Sequence, residues 1–527
     1  MYKKMIAGVS FGALLLLLLF AKGLDKVKFL LFNPVSSVIS EEVWNEKERV
    51  ERFDFGTLYC NGIPVATDYI EKTFYVPLNM ETESWETLEF TCPDPELNIV
   101  FSEDFTKHDK KQAIAEGKDH EFLIYNDTEF STYHMIFTGL PIISISTAEG
   151  IENQKEIAGN AVFYDTDFSS QGIQESEYNG HVRGNTSTLY PKKGYKINLT
   201  KQGKHGVTEK NKLSVFDLRR DDDWILYAMY NDDSKLRVKL STDLWNEFGA
   251  KQIFSNSVYN TNVQYVELLV DNSYYGMYAL MEPIDAKQLN LGRKDYLYKR
   301  KEQNVLVPEP FYQSQDPDEE VLGFALKAGE ANDKVWFPLA QLSELTEASD
   351  EEFSKNVGKV IDEENAMRLW LYLQVITGVD QVHKNAFYVA KREGDQYRFY
   401  FAPWDTDLTW GNISSSEAPH YTVFSPELVK ESIDWEPGNR LVRLNVDGAL
   451  ENMQKLYGQL RDTVLSEKGL EERVNRLNEQ IRNSGAYERN HARWPQEAYT
   501  EDVSDILSYA KERMKYLDSA LYDLDNY

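Results

Sequence analysis

The residues able to do chemistry lie in three segments of this 527-residue chain. The first is Asp380-Gln381-Val382-His383-Lys384-Asn385, and the second is Pro403-Trp404-Asp405-Thr406-Asp407. The third joins Arg183-Gly184-Asn185-Thr186-Ser187 to Pro191-Lys192-Lys193-Gly194-Tyr195-Lys196. Between the first two runs NAFYVAKREGDQYRFYFAP, whose alternation around Glu393-Gly394 predicts a β-hairpin. A hairpin returns the chain to its start, so Asn385 and Asp405 should arrive side by side. An amide oxygen and a carboxylate suit Mg²⁺, which takes few protein ligands and fills its shell from phosphates. Asp380 is then placed to accept a proton from an attacking hydroxyl. The chemistry this set predicts is metal-assisted phosphoryl transfer: Asp380 as base, Asn385 and Asp405 as metal ligands, Asp407 as a further candidate ligand. Singly, each residue is as well explained by helix ends and Asx turns. The combination carries the reading.

The surrounding elements must position these groups. Residues 231–249 repeat Leu236, Leu240, Leu244 and Phe248 at helical spacing, with Gly249 as a stop. VQYVELLVDNSYYGMYALMEPID reads as a hairpin turning at DNSYYG, and residues 364–379 as a helix ending just before Asp380. Strands are expected at AVFYDTDF, EYNGHVRGN and YKINL, and a charged amphipathic helical tail after residue 447. The mixture predicts an α+β domain over 138–527. Ahead of it, residues 51–128 alternate like a small β-sandwich, and 30–50 form a polar stalk.

Residues 5–21 carry no charge and follow Lys3 and Lys4. At about 1.5 Å per residue such a run just spans a bilayer. FAKG is a poor cleavage site, which favours an uncleaved signal anchor within 1–29 and an extracytoplasmic remainder. The formal charge of −29 repels phosphate backbones, argues against nucleic-acid binding and attracts a basic partner. The two cysteines, Cys60 and Cys92, are too few for a structural zinc site, and either a disulfide or two buried thiols fits them. No serine-hydrolase elbow is present, and Asp405 and Asp407 are too close in sequence to flank a sugar.

An Asp, an Asn five positions on, a hairpin and a further Asp is also the catalytic layout of the protein-kinase fold. More specifically, HVRGNTSTLYPKKGYKINL, DDDWILYAMYNDDSKLR, VELLVDNSYYGMYALMEPID, DQVHKNAFYV and FAPWDTDLTWG resemble, in that order, the signature blocks of the spore-coat CotH kinase family. The resemblance runs from about Leu140 to at least Gly411. It implies an atypical protein-kinase-like domain that binds ATP with Mg²⁺ or Mn²⁺ and phosphorylates serine on a protein; the acidic charge adds the expectation that this substrate is basic, and Ser-rich.

By position, Asp380 resembles the family's base, and Asn385 and Asp405 its metal ligands. Arg183, Lys193 and Lys196 fall in the nucleotide-phosphate region. The position two after Asp380, where common kinases place a lysine, is Val382, so Lys384 is the choice for the γ-phosphate over His383. No GxGxxG or DFG is present. Glu282, in an apolar run, is assigned either to the nucleoside edge or to a strand-end salt bridge. Asp233 and Arg237 are an ion pair on a helix or orient a phosphate-binding lysine. The alternative from another class is a noncatalytic surface module that kept the fold; AMP transfer on the same scaffold is a third.

Overall fold

The computed structural model describes residues 46–523, apart from 148–155, 169–171, 185, 251–260, 303, 414–421 and 424–432. The expected anchor and most of the stalk lie outside the described residues. No described helix is long and apolar enough to cross a membrane.

The amino-terminal unit holds β1 (Glu48–Arg49), β2 (Tyr59–Cys60), β3 (Ile63–Pro64), β4 (Ala66–Asp68), β5 (Thr73–Pro77), β6 (Phe90–Thr91), β7 (Asn98–Phe101), β8 (Asp119–Tyr125) and β9 (Glu129–Thr138). One sheet runs β4-β5-β9-β8-β7 with β1 also on β9, and a second runs β3-β2-β6. Both share a core in which Phe74, Phe101, Phe105, Phe122 and Tyr133 meet ring to ring. The long strand β9 lies past the boundary expected at 128, and β1 docks the end of the expected stalk as a strand. Alternation in this stretch predicted strands, but the parallel β1–β9 and β5–β9 pairings are non-local and leave no mark in sequence. Cys60 and Cys92 are buried free thiols, and burial pushes both up, Cys92 to about 11, so neither is a nucleophile.

Next come β10 (Ile142–Thr147), β11 (Ile157–Tyr164), β12 (Ile173–Arg183), β13 (Gly194–Gln202), β14 (Thr208–Lys210), β15 (Asp223–Tyr227), β16 (Val263–Val270) and β17 (Ser273–Met281). Their order is β12-β11-β10-β16-β17-β15-β13-β14, and β12 also pairs with β13. Seven strands thus close into a barrel-like sheet, with β14 outside the ring. Its interior is filled by Tyr195, Ile197, Trp224, Val266, Leu268 and Tyr278, all 0% exposed. The β16–β17 turn is shorter than DNSYYG suggests. Asp271 and Asn272 both take positive φ, 49° and 57°, the tight turn that matches strand twist, and Ser273 already pairs with Val270.

A second sheet, β18 (Tyr296–Arg300), β19 (Phe324–Ala328), β20 (Ala386–Glu393) and β21 (Gln396–Pro403), runs β19-β18-β20-β21. One face packs on helices: Tyr298 stacks on Trp336 at 5.6 Å and Phe401 meets Trp435 at 4.9 Å. The helix Glu363–Ile376, capped by the Asp362 carboxylate, supplies much of that core. The leucine stripe forms the helix Arg237–Trp245, which continues as a π-helical turn over Asn246–Ala250; Leu236, Leu240, Leu244 and Phe248 are all buried. The helix begins six residues later than the periodicity suggests because Asp232 and Ser234 hydrogen-bond its first turn from outside.

The carboxyl-terminal helices include Ala449–Arg461, Glu467–Arg482, Ala486–Arg493 and Ser504–Ala520. They return to the barrel. A Cβ on Gly276 (φ 107°) would come within 2.7 Å of Asn490, so only glycine lets β17 approach this close. There Asn490 Oδ1 accepts from the Met277 amide at 3.0 Å, and Trp494 Nε1 donates to Tyr275 O at 2.8 Å. Arg489 bridges both oxygens of buried Glu267 at 2.9 Å. Glu497 lies between two fully buried lysines, 2.6 Å from Lys235 Nζ and 3.5 Å from Lys192 Nζ. Lys192 also donates to Met277 O and Asn490 Oδ1.

Breaking a buried ion pair from one side leaves an uncompensated charge. Glu497→Gln leaves two, and we predict a loss of about 3–5 kcal/mol from the urea unfolding transition of the barrel. A loss below about 1 kcal/mol would remove Glu497 from this role.

Candidate functional site

Thr377, at φ 59°, ends the helix Glu363–Ile376, and Val379–His383 begins a separate short helix with Asp380 in its first turn. The sequence places Asp380 after one helix; the left-handed Thr377 makes it the start of another. Two residues past that helix, Asn385 has φ 52° and hands the chain to β20. At the far end of the hairpin Ala386 lies opposite Pro403, and the Trp404 amide donates to Asn385 O at 2.9 Å. Asp405, also left-handed at φ 59°, therefore follows directly. Gln381, 1% exposed, donates to Asp405 O at 2.8 Å and Trp404 O at 3.2 Å, tying the short helix to the second loop.

Three predicted residues converge here. Asn385 Nδ2 donates to Asp380 Oδ2 at 2.6 Å, and Lys384 Nζ stands 3.2 Å from Asp380 Oδ1. Burial raises the Asp380 pKa most; Lys384 opposes this and Asp405 adds to it. Asp405 reaches the mouth of a cleft lined also by Arg183, Gly184, Tyr227 and Asn231. Among the described residues, the Asp405 carboxylate and Asn385 Oδ1 accept no hydrogen bond.

Asp407 sits behind Asp405, buried, and accepts from Asn231 Nδ2. Burial, then the Asp405 charge, push its carboxyl up to about 7, against the Asn231 hydrogen bond. Tyr227 braces Asn231 with a hydrogen bond of 3.1 Å.

The cationic candidates divide. Arg183 ends β12 and lies 5.7 Å over the Trp404 ring, beside Asp405. Lys196 is on β13, one-third exposed and paired with Asp223 at 3.2 Å. Lys193 donates to the carbonyls of Thr188 and Tyr190 and braces the β12–β13 loop. Glu282, 0% exposed, accepts from the Arg219 and Asn262 amides at 2.8 and 3.0 Å, so its carboxylate clamps the linker leaving β17. Asp233 and Arg237 form the ion pair, at 2.6 Å, with Asp232 joining at 2.5 Å.

Sequence reading passed over Asn231, Tyr227, Gln381 and Lys299. Lys299 is half-buried on β18, and its charge is felt by Asp405 and Arg183. Its signal was present: two adjacent cations, Lys299 and Arg300, in an otherwise apolar strand must face opposite ways.

No group of three or more His, Cys, Asp or Glu arranged to hold a metal ion occurs among the described residues. The donors present are an amide oxygen and a carboxylate without partners among the described residues, with a second carboxylate behind. That set fits Mg²⁺ or Mn²⁺ shared with a nucleotide and does not fit a protein-only cage.

A family model described as CotH kinase protein matches residues 181–517. No curated protein matches the chain.

The raised Asp407 pKa gives a sign. Between about pH 4 and 7 the folded state binds the extra proton, so stability falls as pH rises through that window. Asp407→Asn should therefore stabilise the metal-free protein at pH 8 by about 1 kcal/mol or more, with the gain gone by about pH 4. Thermal unfolding of both proteins across pH checks it; a gain independent of pH would contradict the cause.

Proposed function

The chain belongs to the CotH kinase family, and from that premise we propose that it transfers the γ-phosphate of ATP to serine on a protein, with Mg²⁺ or Mn²⁺. The observation that carries this is the convergence of Asp380, Asn385 and Asp405 beside Arg183, at the two ends of one hairpin.

Asp380 takes the proton as the serine oxygen bonds to the γ-phosphorus and the bond to the ADP oxygen breaks. Its raised pKa makes it a better proton acceptor than an exposed aspartate. Asn385 fixes the carboxylate by holding Oδ2, and Lys384, beside Oδ1, offers a cation to the γ-phosphate. Asn385 Oδ1 and the Asp405 carboxylate would hold the metal, which neutralises phosphate charge when bound. Asp407 supports Asp405 from behind, and Arg183 faces the phosphates. Trp404 packs on Phe387 at 5.7 Å and walls the cleft.

The charge of −29 favours a basic, Ser-rich substrate. The uncharged run at 5–21 supports a single-pass anchor with the bulk of the chain outside the cytoplasm.

The test is incubation of the purified protein with labelled ATP, Mn²⁺ and a Ser-rich basic protein. Asp380→Ala and Asp405→Ala should each lower incorporation by about 10³-fold or more while the circular dichroism spectrum is kept. EDTA should abolish the reaction and Mn²⁺ restore it. Retained incorporation in either variant, or metal-independent activity, contradicts the assignment. A product mass increased by AMP rather than phosphate would replace phosphorylation with nucleotidyl transfer.

A further inference from the structure

β18 and β19 are neighbours in the second sheet, yet the chain joins them by a long excursion over residues 301–323. That excursion leaves the sheet beside the reaction centre. Arg300 O accepts from the Asn385 amide at 3.1 Å, and the Arg300 guanidinium donates to Val382 O at 3.2 Å and to Asn304 O at 3.5 Å. One side chain thus ties the root of the excursion to the short helix that carries Asp380.

The excursion is fixed to the core by part of its surface. Phe311, in the helix Pro308–Gln313, is buried with its ring centroid 6.0 Å from that of Phe324. Trp336 Nε1 donates to Asp316 O at 2.9 Å, and Leu306 packs on the same core. Val305, beside Leu306, takes no part in this. It is 82% exposed, more than any other large hydrophobic residue among those described.

The rest of the surface is acidic. From Glu302 to Leu326 the sequence holds Glu302, Glu309, Asp316, Asp318, Glu319 and Glu320, and no Lys or Arg. The whole chain sets 57 cations against 86 acids, so this stretch departs far from the average balance. All six carboxylates are exposed. Lys301 takes Glu320, and the other five form no ion pair among the described residues.

A lone exposed valine on a protein surface needs no explanation. Here it stands on a ledge held by the core, rooted at the candidate base and rimmed by uncompensated negative charge. That combination complements a chain with an apolar side chain near its serine and cations further along. We propose that this ledge docks the acceptor protein: Val305 receives the apolar side chain, and Glu302, Glu309 and the carboxylates of 316–320 receive lysines and arginines. The proposal rests on the kinase reading and adds the acceptor side to it.

The test is fluorescence anisotropy of a labelled peptide on the full chain without ATP, so that no turnover occurs. The peptide repeats serine, lysine and arginine around one leucine. Glu302→Lys with Glu309→Lys should weaken binding by about 10-fold or more at low salt, and added salt should shrink that gap. Val305→Ser should weaken it by about 3- to 10-fold. Replacing the peptide's leucine by serine should cost the wild type as much and Val305→Ser little, because the two changes remove one contact. Glu471→Lys with Glu472→Lys, the same change of net charge on the tail helix, should stay within about 2-fold of the wild type. Equal affinity in the ledge and tail variants, or no peptide binding by the wild type, overturns the ledge. Phosphate transfer is measured separately: the ledge variants should raise KM for the peptide and keep kcat within about 2-fold. Transfer to the peptide with KM unchanged in those variants overturns the ledge and leaves the kinase reading standing. Peptide binding with no transfer to any acceptor by the wild type overturns the kinase reading, and the acceptor role with it.

Discussion

The hydrogen bond from the Trp404 amide to Asn385 O closes the mouth of the β20–β21 hairpin, and the site depends on that closure. It brings together two residues that both need positive φ, one carrying an amide and the other a carboxylate. Asp and Asn tolerate that conformation better than other side chains, so turn chemistry and ligand chemistry select the same residue types. Gln381 then fastens the short helix to this junction from beneath. Asp380, Asn385 and Asp405 are thereby held at the end of a sheet by hydrogen bonds to the backbone.

The other half of the cleft belongs to the barrel, whose shape depends on buried charge. Lys192, Lys235 and Glu497 are buried together, two cations to one carboxylate, so the cluster is held by hydrogen bonds as much as by charge. It locks the β12–β13 loop, the start of the helix Arg237–Trp245 and the tail into one arrangement. That arrangement sets where Arg183 stands relative to Asp405.

Local pattern made much of this legible. Alternation found both hairpins, helical spacing found the buried leucine stripe, and the Asp-Asn-hairpin-Asp order found the groups that meet. What stayed hidden was non-local. Lys193 and Lys192 are neighbours in sequence, and only the tail's return decides that one braces a loop and the other is buried against Glu497. Glu282 looked like a charge in search of a ligand, and two backbone amides far along the chain satisfy it. Lys299 needed a cross-strand register, with Phe387 and Ala325, that its own segment does not specify. The parallel pairings of β9 required a partner strand more than fifty residues away.

Glu497 stands 305 residues beyond Lys192. A chain being synthesised can fold its amino-terminal sandwich early, since that core draws mostly on its own residues. The barrel has to wait. Until the penultimate stretch has left the ribosome, two lysines have no carboxylate and the bulged strand at Gly276 has no cover. The cleft beside Asp405 is therefore among the last parts of the molecule to mature, and a truncated product would carry every residue of the candidate site on a framework that has not set.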